Sequence, residues 1–169
     1  MPLANKHPGE TFLAYPSAPW HLQGHAICSS YLLDIPRVMA PFPPELSVVP
    51  VLPGKTLGGI YLAVYEAGSV LEYHELIAVS ALVRYRRKLG AWVSHIYVDN
   101  SYSVAGGREI WGLPKQLAEF TWDDPLGPAF VRQGERLLCT LRAYSSAPPR
   151  TTANLSPRVR AEAQGTTMV

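Results

Sequence analysis

Leu76-Ile77-Ala78-Val79-Ser80-Ala81-Leu82-Val83-Arg84-Tyr85-Arg86-Arg87, followed after Gly90 by Trp92-Val93-Ser94-His95-Ile96-Tyr97-Val98-Asp99, decides the fold. Both runs are rich in β-branched and aromatic residues, and the first ends in five residues with four cations, Arg84 to Lys88. Strand, solvated turn, strand is the reading, an antiparallel hairpin closed at its far end by the turn chemistry of Asp99-Asn100. Outward from it, Ala26–Leu33, Leu46–Leu52 and Gly59–Glu66 are further strand candidates, punctuated by Pro53-Gly54 and Gly68. On the other side, Phe120–Trp122, Ala129–Arg132 and Arg136–Tyr144 add strands, the last two joined across Gln133-Gly134.

Helices are few. Sixteen prolines in 169 residues exclude a helical bundle, because proline interrupts the helical ladder. Asp34 or a neighbour is placed to cap a short helix with Pro36 in its first turn, and Ser101 to Gly107 fits one or two helical turns. The expected fold is mainly β, α+β with a few short helices, its antiparallel strands curling into a barrel or incomplete barrel around an apolar pocket. One domain is expected over 1–144. Residues 145–169, with three prolines and no aromatic residue, read as a disordered or loosely packed tail.

Composition narrows the function. An apolar share of 47% against 17% charged supports a real core, and the net charge of +2 is too small and scattered for a nucleic-acid partner. No apolar run approaches the ~18–20 residues of a membrane helix, and Met1 to Glu10 lacks an export signal, so a soluble cytoplasmic protein is expected. Cys28 and Cys139 read as free thiols in the core. His21, His25, His74 and His95 show no ligand spacing, so neither metal nor cofactor is expected.

One stretch carries unusual chemistry: Tyr97-Val98-Asp99-Asn100, seven residues, then Arg108-Glu109-Ile110-Trp111-Gly112-Leu113-Pro114-Lys115. A phosphate loop does not fit, since the glycine nearest Lys115 is three residues away and Gln116 follows it. Pro114 stiffens the backbone that presents Lys115, which suits an amine that must meet a carbonyl carbon in one geometry. Taken alone, however, Lys115 reads first as a strand-edge lysine with its ammonium in water.

The Y-V-D-N segment with G-R-E-I-W-G-L-P-K resembles the acetoacetate decarboxylase family, and the resemblance extends through Gly90–His95 and Tyr73-His74-Glu75. It implies a Schiff-base lyase in which Lys115 condenses with a small keto acid or ketone and carbon dioxide leaves from the imine. The attacking species must be the free amine, and an ordinary lysine with a pKa of about 10.4 is roughly 0.04% free at pH 7. Glu75 falls at a catalytic glutamate of the family. Arg108, Leu113, Gln116 and Ile60 are the further pocket candidates. Arg108 and Glu109 read as an ion pair bracing the lysine loop. The chain departs from the family pattern at Gln116, where a second lysine follows the nucleophile, and at about Ile60, where a partner glutamate falls. It departs again at Gly24 and His25, near the expected carboxylate-binding arginine. Those departures leave open a non-catalytic small-ligand binder, or another imine reaction such as an aldol or dehydration step. Exposed strand edges of an incomplete barrel imply a homo-oligomer.

Overall fold

The computed structural model describes residues 15–38, 42–124 and 127–145 and the backbone of 159–163, with side chains described up to Arg142. β1 (Gly24–Asp34) leads into a single 3-10 turn, Ile35–Arg37, which has Pro36 at its start. The Asp34 carboxylate does not cap that turn and binds Lys55 Nζ at 2.5 Å instead. β2 (Leu46–Val48), β3 (Lys55–Tyr65), β4 (Tyr73–Tyr85) and β5 (Lys88–Val98) follow. They are all antiparallel to their neighbours, in the order β1-β3-β4-β5, with β2 on the end of β4.

The central hairpin is where the sequence puts it, and its turn lies at Arg86-Arg87, inside the cationic run Arg84 to Lys88. Tyr85 pairs with Lys88, Arg86 has a φ of 54°, and Gly90 sits inside β5 opposite Val83. A two-residue hairpin loop requires positive φ at its centre, and Arg86 accepts that conformation in solvent. After β5 comes α1 (Ser101–Trp111), longer than the one or two turns expected because Gly106 and Gly107 continue the helix.

β6 (Lys115–Leu117) returns parallel to β5 at the edge of this sheet, and its three residues were not foreseen. The chain then changes sheets across a single residue, Ala118, whose N–H donates to Val98 O at 2.9 Å. β7 (Glu119–Thr121), β8 (Pro128–Gln133), β9 (Arg136–Ser145) and β10 (Val159–Ala163) form the second sheet in the order β7-β8-β9-β10. The first strand of one sheet and the last of the other, β1 and β10, lie side by side without ladder pairing among the described residues. The expected barrel is therefore not closed: the sheets join through Ala118 on one side and stay unpaired along the β1–β10 seam. Apart from Ser145 at the end of β9 and the backbone of β10, the segment expected to be a disordered tail lies outside the described residues.

Strand alternation divides the first sheet into two faces. Leu62, Leu76 and Tyr97, neighbours in register, face the second sheet and pack with Val131, Leu138 and Leu141 into the main core. The residues one position along, Ala63, Glu75 and Val98, face the other way, where Tyr73, Ile96 and Val98 form a smaller core against Val104 and Leu113. That second face holds the candidate site.

Candidate functional site

Lys115 is 3% exposed, which excludes the reading of a surface lysine. Its strand β6 pairs with Ile96, so its side chain joins the face that carries Glu75. The ammonium lies 2.7 Å from Glu75 Oε1, and Glu75 is itself 5% exposed. Nζ also donates to Ser103 Oγ at 3.0 Å and approaches Tyr73 OH at 3.5 Å, with the Tyr73 ring centre 5.0 Å away. A buried ion pair repays its desolvation only when hydrogen bonds satisfy the remaining protons and lone pairs. Here Ser103 and Tyr73 take up the amine, and Tyr65 OH donates to Glu75 Oε2 at 3.1 Å. Tyr61 OH lies 3.4 Å from Tyr65 OH and extends the chain of groups.

The surroundings of Tyr65 and Tyr73 favour their protonated phenols. Burial pushes Tyr65 far above the ordinary tyrosine range, with the Tyr61 hydrogen bond and the charge of Glu75 adding to it. Burial, then the charge of Glu75, does the same to Tyr73. Both hydroxyls are thus available as donors to a carboxylate or an oxygen of a bound ligand.

Each residue of the motif has a local task. Asp99 accepts the His74 N–H through Oδ1 at 2.8 Å and meets His74 Nδ1 through Oδ2 at 2.7 Å, fixing the start of β4 two residues from Glu75. Asn100 caps α1, accepting from the N–H groups of Tyr102 and Ser103, and so sets the turn that carries Ser103. Gly106 lets Trp20 lie on the helix, since a Cβ there would stand 2.6 Å from its ring. Gly107 lets the lysine stem pass, since a Cβ would stand 2.5 Å from Lys115 Cδ. Gly112, with φ 65°, ends α1, and Arg108 Nε then donates to Lys115 O at 2.8 Å. Glu109 accepts from Tyr15 OH at 2.5 Å, which raises the Tyr15 phenol. Arg108 thus holds the lysine loop and Glu109 holds Tyr15, whereas the expected ion pair between the two is not among the described contacts.

The remaining candidates lie apart from the amine. Leu113 packs into the small core beside it, and its carbonyl accepts the Lys115 N–H at 2.8 Å. Gln116 points to the opposite face of β6 and lines a surface cleft of about 440 Å³ with Val104, Arg108 and Gln133. Ile60 also lies on the opposite face from Glu75, packed against the main core. Tyr61, its neighbour, lies on the site face with Ala63 and Tyr65. At Gly24 a Cβ would stand 1.9 Å from Val64 O, so β1 carries no side chain there, and His25 pairs with Glu66 at 3.5 Å and packs against Trp122. Ser103, Tyr61, Tyr65, Tyr73 and Gly107 were missed. Tyr73 and Glu75, two apart on one strand, were the available signal. Among the described residues no cluster of His, Cys, Asp and Glu is arranged to hold a metal, and no helix is long and apolar enough to cross a membrane.

A mainly β fold that buries a lysine against a glutamate beside a G-R-E…P-K loop defines a class, and comparison with known proteins agrees. The chain matches the acetoacetate decarboxylase family over residues 1–166 and belongs to that family. It is 32% identical over 111 residues to Protein NEOXANTHIN-DEFICIENT 1 of Solanum lycopersicum, a match covering 66% of this chain and 37% of that protein. The crystal structure of acetoacetate decarboxylase from Legionella pneumophila superposes with a TM-score of 0.67 at 21% identity, covering 85% of this chain and 57% of that one. The enduracididine biosynthesis enzyme MppR, complexed with the condensation product of pyruvate and imidazole 4-carboxaldehyde, superposes at 0.56 and 17% identity over 81% of this chain and 60% of its own. The chain thus spans between 37% and 60% of the length of these proteins.

Proposed function

We propose that this chain is a Schiff-base lyase of small keto acids, with Lys115 as nucleophile and Glu75 as its proton partner, working as a cytoplasmic homo-oligomer. The observation that carries this reading is the buried Nζ of Lys115, 2.7 Å from Glu75 Oε1. A proton passed across that contact leaves a neutral amine and a neutral acid, and two neutral groups cost less to bury than two charges. The amine adds to the ketone carbon, and the carbinolamine hydroxyl takes a proton and leaves as water, a proton given back when the iminium is finally hydrolysed. The resulting iminium withdraws the electron pair of the breaking carbon–carbon bond as carbon dioxide departs. The enamine takes one proton at carbon, and water releases the ketone from Lys115. Ser103 and Tyr73 fix the amine on the approach line, which is the part of catalysis that positioning supplies.

Incubation with acetoacetate in heavy-oxygen water tests this. Wild type releases carbon dioxide and exchanges the carbonyl oxygen of the acetone formed, and Lys115→Ala does neither; wild type inert in both assays, while folded, contradicts the reading. A second reading, a small-ligand binder without turnover, is favoured by Gly24, where β1 leaves no room for a carboxylate-binding side chain. On that reading Lys115→Ala retains ligand with unchanged affinity. A third, another imine reaction such as an aldol or dehydration step, draws support from the pyruvate condensation product named for MppR.

A further inference from the structure

If Lys115 works through an imine, as proposed above, decarboxylation of a keto acid anion to a ketone consumes one proton per turnover, and that proton must reach a buried site. Glu75 is the acid in contact with the amine, and its second oxygen accepts from Tyr65 OH at 3.1 Å. Because the Tyr65 proton is committed to Glu75, Tyr61 must be the donor in the 3.4 Å contact between the two phenols. The hydrogen bonds therefore all point one way, from Tyr61 through Tyr65 to Glu75. Tyr61 and Tyr65 are both only partly buried, and Tyr61 stands opposite the exposed Cys28 on β1, so the chain of donors runs from near solvent to the amine.

The partner glutamate expected at about Ile60 is absent from this face because Ile60 points into the main core. The hydroxyl groups of Tyr61 and Tyr65 occupy the face instead. We propose that Tyr65, backed by Tyr61, is the positioning and proton-relay residue of this site. It holds Glu75 in line with Lys115 and resupplies the proton that the enamine takes. When Glu75 gives its proton to the enamine carbon, the Tyr65 proton moves to Glu75 Oε2 and the Tyr61 proton moves to Tyr65 in the same step. Solvent then reprotonates Tyr61. A concerted transfer is needed because burial keeps Tyr65 from persisting as a phenolate. The groups facing Glu75 are Lys115 from β6, Tyr65 from β3, and Ser103 from α1 with Tyr73 of its own strand close to the amine.

The test measures carbon dioxide release and borohydride-trapped adduct against pH for wild type, Tyr65→Phe, Tyr61→Phe and the double variant. Phenylalanine keeps each ring and removes only the hydroxyl. Tyr65→Phe is expected to slow turnover about a hundredfold or more, within the range general acid–base groups contribute. Its pH–rate profile should also change, because the Glu75 carboxylate loses a hydrogen-bond donor. Tyr61→Phe should slow turnover by a smaller factor, and in series with Tyr65 it should add nothing to the Tyr65→Phe variant. Wild-type rate and pH profile in folded Tyr65→Phe, or effects of the two substitutions that multiply, overturn the relay alone. No adduct on wild type overturns the relay together with the imine reading on which it rests.

Discussion

Lys115 and Glu75 satisfy one another in a place where neither is tolerated alone. Removing one partner of a buried ion pair typically costs about 3–5 kcal/mol, whereas replacing both with apolar residues of similar volume is often neutral. Lys115→Met and Glu75→Leu should each lower the free energy of unfolding by about that amount, and the double variant should recover most of it, as read by urea titration. Gly107 makes a prediction whose sign is unusual. Glycine to alanine inside a helix ordinarily stabilises by about 1 kcal/mol. At Gly107 the new methyl would stand 2.5 Å from Lys115 Cδ, so Gly107→Ala should destabilise by about 1–3 kcal/mol and displace the amine, with loss of imine formation. Gly112→Ala tests a different cost, the αL conformation at the end of the same helix.

Much of this was legible at the level of elements. The alternation from Leu46 to Asp99 reports buried and exposed faces of strands, and the hairpin at its centre followed from local chemistry. β6 escaped because three residues paired parallel to a distant strand leave no periodic trace. The Lys115–Glu75 meeting was readable only through the motif and the resemblance it carries. The tyrosines were not, because their place depends on register across β3 and β4. A shift of one residue exchanges the faces of a strand. That is why the position expected to hold a second acid resolved to Ile60, pointing into the core, with Tyr61 on the site side. Asn100 ties two elements together, capping α1 and donating to Glu72 O at 3.3 Å. Asn100→Ala should lower the unfolding free energy by about 1 kcal/mol and slow imine formation, because the cap orders the turn that holds Ser103.

For the whole molecule, alkaline pH is the revealing variable. Burial raises the Cys139 thiol to about 11, and the Tyr65 and Tyr73 phenols move in the same direction. A group whose folded value lies above its unfolded one contributes stability that is complete below the unfolded value and declines as pH rises towards the folded one. The melting temperature should therefore fall as pH rises from about 9 to 11, the window between the ordinary thiol value and that of Cys139. Cys139→Ala should flatten part of that fall; an unchanged slope would remove Cys139 from the account. The same logic predicts that Cys28, which is exposed, alkylates in the native protein while Cys139 reacts slowly.

The account as a whole turns on whether the Lys115 amine bonds to a carbonyl carbon. Borohydride reduction of the chain in the presence of acetoacetate or acetone, followed by peptide mapping, reads this directly. The account predicts one reduced alkyl group on the peptide containing Lys115, and none on it in Lys115→Ala. A folded wild-type chain that stays unmodified at Lys115, or is modified equally at its other lysines, contradicts it.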